Sequence, residues 1–373
     1  MRRRSFVSGL AGTAAGLGLA DAAAPATAVA ATAATAPATG WSASPGWSAV
    51  PVPDARPGAR LYGVAAAGPR LAWAVGVEGL SNVGEGTAVA LRWDGAAWSR
   101  TDLGPLASSG PLTSVTCADS RTAWAVGDGG LLLAWDGTTW RKTPYPGQGE
   151  SGTTVTDVAA TDDGRAWASG RHDGRAGVLH WDGRRWRWCA PLPDAAAPTP
   201  GRVHVTPGGE VWVYGDVVAR WDGAWTVIPR TTGIRATVSG LLPVAHDDIW
   251  LTGYGYGVGG PPGKPPGVHF EHWDGTRWSP VTGPYGVGLL SSVSGDRQGR
   301  PDRITGWDFW DQKRSHYLRW DGTFWVSERG PEMPETALMT DLTRIPGTSA
   351  YWSVGTTSFY AGTTARMHIE RLG

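Results

Sequence analysis

Short runs of alternating apolar and polar residues, each bounded by Gly, Asp, Ser or Thr, recur along the chain in a fixed order. The tripeptide Trp-Asp-Gly starts at Trp93, Trp135, Trp181, Trp221, Trp273 and Trp320, at spacings of 42, 46, 40, 52 and 47 residues. Each copy is followed by a second Trp: Trp98, Trp140, Trp186, Trp225, Trp278 and Trp325. Upstream lies Trp-x-x-Gly, at Trp73, Trp124, Trp167, Trp212, Trp250 and Trp352. Nine or ten residues before each of these Trp stands an aliphatic: Val64, Val115, Val158, Val203, Leu241 and Leu342. Period-two runs of this length with turn signals between them predict four short strands per unit, a to d. A sheet that small cannot cover its own two faces, so units must stack on one another.

Repeats of 40–52 residues with four strands each predict an all-β fold, a seven-bladed β-propeller. Six units carry the complete tripeptide. In the sixth, Arg303 takes the strand-b Trp position and Gly306 the Gly position. The seventh begins near Met339 and ends at Ile369-Glu370-Arg371-Leu372-Gly373, which aligns with Leu91-Arg92-Trp93-Asp94-Gly95 and leaves no strand d. Gly46-Trp47-Ser48-Ala49-Val50-Pro51 reads as a strand d without a blade. The N-terminal segment is therefore expected to complete blade seven and close the ring. Asp-Gly after each strand-c Trp suits a tight hairpin, since Gly accepts positive φ and Asp bonds the local backbone. Of 23 Trp, 19 hold repeat positions, so blade packing accounts for most of the indole content; Trp41, Trp188, Trp307 and Trp310 do not.

Trp-Asp-Gly-x-x-Trp combined with Trp-x-x-Gly, over residues 41–373, resembles the secreted propellers common in actinobacteria and, more distantly, Asp-box and WD-repeat propellers. Trp135 to Trp140 keeps the turn Asp, Gly and final Trp of the Asp-box, but lacks its upstream Ser and sets Asp directly before Gly. The resemblance implies a propeller and no particular reaction.

The N-terminus changes the expected destination. Arg3-Arg4-Ser5-Phe6-Val7 resembles a twin-arginine export signal, and the Gly-rich apolar run after it is too short to span a bilayer. Residues 1–30 are read as the signal, cleaved after Ala30, residues 31–40 as a flexible Ala/Thr/Pro leader, and residues 41–373 as the propeller, secreted and monomeric. With 33 basic and 33 acidic residues the chain has no net charge, and the mature part comes to about −2. That argues against a nucleic-acid partner. The scattered His and two Cys predict neither a metal site nor a cofactor. Cys117 and Cys189 are assigned to strands too far apart to bridge.

Function is expected where the repeat varies. The a–b and c–d turns are nearly constant, whereas the b–c loops differ: Val77–Ala88, Arg171–Gly177, Tyr254–Gly267, Trp307–Ser315 and Thr356–Thr364. Candidate ligand-binding residues are Trp307, Asp308, Trp310, Asp311, Arg314 and His316 in the blade-six loop. Tyr254 and Tyr256 join them from blade five, and His172 and Asp173 from blade three. Exposed aromatics among carboxylates suit a sugar ring, whose C–H faces pack on indole while carboxylates accept its hydroxyls. Glu271 stands two residues before the strand-c Trp, where other blades carry Leu91, Leu133, Leu179, Ala219, Leu318 and Ile369. Glu271 is a further candidate site residue, since a carboxylate buried where packing wants an aliphatic is a feature of active sites. The favoured alternative is a local pair with an Arg or His of an adjacent blade, and His269, on the same strand face, could also be its partner. The principal reading is a binding or scaffold propeller for a glycan or exported protein. The rival is a glycoside hydrolase or polysaccharide lyase using loop carboxylates.

Overall fold

The computed structural model describes residues 46–81, 86–193, 200–206, 208–230, 236–256, 264–358 and 364–373. They form seven four-stranded antiparallel sheets, each built in the order a-b-c-d from the centre outwards. Blade one comprises Arg60–Gly68, Leu71–Glu78, Thr87–Trp93 and Trp98–Arg100. Blade five comprises Ala236–Ala245, Asp248–Gly255, Gly267–Trp273 and Trp278–Pro280. Blade six comprises Gly288–Gly295, Pro301–Asp308, Arg314–Trp320 and Trp325–Glu332. Blade seven takes strands a to c from Ala337–Arg344, Tyr351–Thr357 and Arg366–Leu372, and strand d from Trp47–Ala49. The ring thus closes through the N-terminal strand, with Trp47 opposite Leu372 and Ala49 opposite Glu370.

The repeated residues have separable jobs. Each strand a carries a bulge, at Tyr62, Thr113, Thr156, Gly201, Ser239, Ser291 and Thr340. Some of these extra residues reach the next blade: the Thr156 hydroxyl donates to the Gly201 carbonyl (3.2 Å) and that of Thr340 to the Leu61 carbonyl (2.8 Å). The bulge also brings a strand-a carbonyl against the Gly of Trp-x-x-Gly. A Cβ on Gly76 would lie 1.9 Å from the Arg60 oxygen, and one on Gly170 2.0 Å from that of Thr154. That Gly is required by contact, whereas the c–d turn Gly is required by conformation, with φ of 104° at Gly95 and 98° at Gly137. Beside it, Asp94 and Asp136 each accept two backbone N–H groups of their own turn, which hold both carboxyls below the usual range.

Between blades, the strand-b Trp of one inserts against the strand-c and strand-d Trp of the next. Trp73 lies 4.8 Å from Trp135 and 4.9 Å from Trp140, and Trp352 lies 4.8 Å from Trp93 and 5.2 Å from Trp98, centroid to centroid, in tilted and edge-on pairs. Trp250 meets Trp320 and Trp325 in the same way.

The blade six–seven boundary departs from this. Arg303 does hold the strand-b Trp position, paired with Arg319 across the ladder as Trp73 is with Arg92. It lies over the Tyr351 ring and forms ion pairs with Asp302 and Glu328. The blade-seven alignment needs correction by one residue. Trp352 faces Arg371 as Trp73 faces Arg92, so Leu372 takes the strand-c Trp position and Glu370, not Ile369, matches Leu91. Leu372 kept the apolar character but not the identity of the Trp, which hid the register.

Cys117 and Cys189 are free thiols, pushed up to about 12 and about 11 by burial. Among the described residues no helix is long and apolar enough to cross a membrane.

Candidate binding site on the loop face

Four of the candidate residues of blade six are not loop residues. Trp307 and Asp308 end strand b and are buried, and His316 lies within strand c, wholly buried. Arg314 begins strand c and pairs with Glu332 at 2.8 Å. The loop itself is Phe309–Lys313, shorter than the sequence suggested because strand alternation continues to Asp308.

This short loop is held at nearly every residue. The Phe309 N–H donates to the Val287 carbonyl at 3.1 Å. The Asp308 carboxylate accepts the Trp310 N–H at 2.9 Å, and its carbonyl the Asp311 N–H at 3.3 Å. Arg329, from strand d, donates to Asp311 at 3.0 Å and lies 3.7 Å from Asp308. His316 donates Nε2–H to the Asp311 carbonyl at 3.0 Å, which leaves Nδ1 as the unprotonated nitrogen, without a hydrogen-bond partner. Burial, with the Arg329 cation behind it, pushes His316 down to about 4, so the ring is neutral at physiological pH. Asp308, Asp311 and His316 are thus the foundation of the loop. What they present is Trp310, 76% exposed, its ring edge-on to Phe309 at 5.0 Å, with Phe309 in turn edge-on to buried Trp307 at 5.8 Å.

Trp310 and Phe309 form one wall of a groove of about 600 Å³ between blades five and six. Lys264, Pro265, Pro266, Val268, His269 and Val287 complete the lining, together with Gly255, Gly267 and Gly286. Main chain along the groove is already bonded: Val268 N–H to the Gly286 carbonyl at 3.0 Å and Gly288 N–H to that of Pro266 at 2.8 Å. An occupant would be held by side-chain packing rather than by strand addition. Volume, apolar lining and a rigid aromatic are the features of a preformed binding site.

The other candidates fall elsewhere. Tyr254 lies one residue before the end of strand b of blade five, and Tyr256, 63% exposed, stands edge-on to it at 6.1 Å beside the groove. In blade three the expected loop shrinks to a two-residue turn, Asp173-Gly174, with Asp173 at φ 50°. His172 stacks flat on Trp188 at 4.9 Å, so that pair packs within its own blade. Trp41 and residues 359–363 of the blade-seven loop lie outside the described residues. Glu271 is buried and paired as expected, 3.2 Å from His269 and 3.5 Å from Arg230, which follows strand d of blade four. Burial opposes its charge, but these partners prevail and hold its carboxyl below the usual range.

Sequence reasoning missed two features. One is Glu370, buried at the position of Glu271 in blade seven, also with a His two residues before it, 2.8 Å away. The repeated pattern His-x-Glu was readable had the register been right. The other is the channel wall, where Asp157, Arg202 and Asp341 meet from three strands a. Asp157 accepts the Val203 N–H and Asp341 the Val64 N–H, each at 2.9 Å across a blade boundary. Burial raises both carboxyls, while at Arg202 it is outweighed by Tyr214, Asp157 and Asp341, which hold the guanidinium pKa up. No group of three or more His, Cys, Asp or Glu among the described residues is arranged to hold a metal.

No protein-family model matches the chain, and no curated protein matches it. Solved structures do resemble it. A structure of YCF48 bound to D1 peptide superposes with a TM-score of 0.60 at 15% identity, over 89% of this chain and 98% of that one. YCF48 from Cyanidioschyzon merolae gives 0.58 at 16% identity, over 87% and 98%. At such identities the likeness is one of fold, and it covers the whole propeller.

Proposed function

We propose that the chain is an exported binding propeller of the Trp-Asp-Gly type, and that the groove between blades five and six takes a segment of another exported protein. The observation that carries this is Trp310, a large exposed aromatic on a loop tied down by Asp308, Asp311, Arg329 and His316. An indole held in place pays little ordering entropy when a partner packs on it. YCF48, of similar fold, has been solved with a peptide bound. A glycan is the weaker reading: Asp308 and Asp311, which would accept sugar hydroxyls, are already engaged within the loop. Export rests on the twin-arginine pattern at Arg3 and Arg4.

The test is capture by the purified propeller on an array of overlapping peptides from exported proteins, beside a neutral-glycan array. Two variants are compared, Trp310→Ala and Gly286→Leu. A Cβ on Gly286 meets nothing within 4 Å, so the second can obstruct the groove without a clash in the fold. Peptide capture lost in both variants at unchanged melting temperature is the expected result. Capture confined to glycans would replace the occupant, and capture indifferent to both variants would remove the groove as the site.

A further inference from the structure

The groove is mostly apolar, and Lys264 and His269 are the ionisable side chains that line it. On strands b and c of blades five and six and the loop between the latter pair, every carboxylate is engaged. Asp248 pairs with His272, Glu271 with His269 and Arg230, Asp302 with Arg303, and Asp308 and Asp311 with Arg329. The two lysines are not: neither Lys264, exposed on the groove wall, nor Lys313, exposed where the Trp310 loop ends, makes an ion pair among the described residues. The Lys264 ammonium therefore stands beside the aromatic wall with no carboxylate paired to it among the described residues. The cavity of about 600 Å³ has room for two or three side chains, and the main chain along it offers a strand no open edge.

Resting on the groove reading above, we infer that the occupant is an acidic segment with an aromatic or large aliphatic anchor, whose side chain packs on Trp310 and Phe309 while a neighbouring carboxylate faces Lys264. Packing supplies the affinity; the lysine selects among apolar segments by charge. A basic neighbour would meet like charge, and a neutral one would leave the ammonium as it was. The ion pair is partly exposed, so its effect is modest and depends on salt.

The experiment uses the full propeller and blocked peptides identical except at one place. Each has a central Phe flanked by Leu and Ala, with Glu, Gln or Lys two residues from the Phe. Fluorescence anisotropy at low and high salt gives the dissociation constants for wild type, Lys264→Glu and Trp310→Ala. Wild type is expected to bind the Glu peptide about fivefold more tightly than the Gln peptide, the margin shrinking at high salt. Lys264→Glu is expected to invert the order in favour of the Lys peptide. Equal affinities for the three peptides, all lost in Trp310→Ala, would overturn the charge selection and leave the groove reading standing. Binding that Trp310→Ala does not alter would overturn the groove reading and this inference with it.

Discussion

Two kinds of blade boundary hold this ring together. At the boundary of blades one and two, Trp73 sits between Trp135 and Trp140, and the contact is hydrocarbon. At that of blades six and seven the same places hold Arg303, Leu372 and Trp47, and polar groups do the packing. Trp47 stacks on Tyr317 at 3.7 Å between centroids. Glu370, with no exposed surface, accepts from Ser315 at 2.7 Å, Tyr317 at 3.0 Å and His368 at 2.8 Å. An indole sandwich is tolerant of small shifts. A carboxylate with three fixed partners is not, since a displaced one is buried without compensation. The directional contact stands where two ends of the chain must meet in one register, which the apolar sandwich alone would define less sharply.

The comparison breaks most completely by removing the closing strand. A chain beginning after Ala49 loses Trp47 from the Tyr317 stack and leaves the strand-c edge of blade seven unpaired. It is expected to lose the whole transition in thermal denaturation, not one blade's share. A truncated protein that melts like the parent would show that blade seven stands on three strands.

Next come single side chains on either side of the comparison. Trp352→Ala removes a fully buried indole from the blade seven–one sandwich and is expected to cost about 3–5 kcal/mol. Glu370→Ala strands His368, Ser315 and Tyr317 and is expected to cost about as much. Glu370→Gln separates the two mechanisms. It preserves shape, so a variant as stable as the parent in urea titration would make the boundary a matter of packing, not of charge.

How much of this could be read beforehand depended on whether a residue belongs to the repeat. Trp-Asp-Gly and Trp-x-x-Gly recur often enough to reveal seven blades and the closure through Trp47. Glu370 escaped because Leu372 replaces the Trp that marks the register, and one residue of slip puts a different side chain on the buried face. Trp307 and Trp310 read alike in sequence, three residues apart. Strand alternation buries the first, and the loop tied to Asp308 exposes the second. The groove itself comes from residues of two blades whose convergence no single repeat displays. The bulge on every strand a left no signal except its consequence, the strand-b Gly.

Acid should weaken the ring through two other side chains. His316 and His204 are each pushed down to about 4 by burial. The folded protein then binds fewer protons than the unfolded chain between about pH 6.5 and pH 4. Their contribution is fully present above pH 6.5 and is lost as pH falls through that window, at about 1.4 kcal/mol per pH unit for each. Asp157 and Asp341, raised by burial, act in the opposite sense and moderate the fall. Urea titrations at pH 7, 6 and 5 on wild type and His316→Gln would measure it, the variant expected to show the shallower slope.

The smallest effect is expected where a polar group interrupts an otherwise apolar boundary. Glu271 stands where Leu91, Leu133, Leu179 and Leu318 stand in other blades, so leucine suits the position sterically. Glu271→Leu alone leaves the Arg230 cation in a largely buried place, with the Gly215 carbonyl at 3.1 Å and His269 at 3.2 Å left to bond among the described residues, and should destabilise. Glu271→Leu with Arg230→Met removes both charges and restores the apolar contact of the other blades. A buried ion pair returns little beyond its desolvation cost, so the double variant should match wild type within about 1 kcal/mol or exceed it. Measured as a double-mutant cycle in urea, such a result would leave Glu370 as the buried carboxylate the ring depends on. A double variant as unstable as the single one would show instead that blades four and five also need a directional contact, and that closure is not what distinguishes the boundary of blades six and seven.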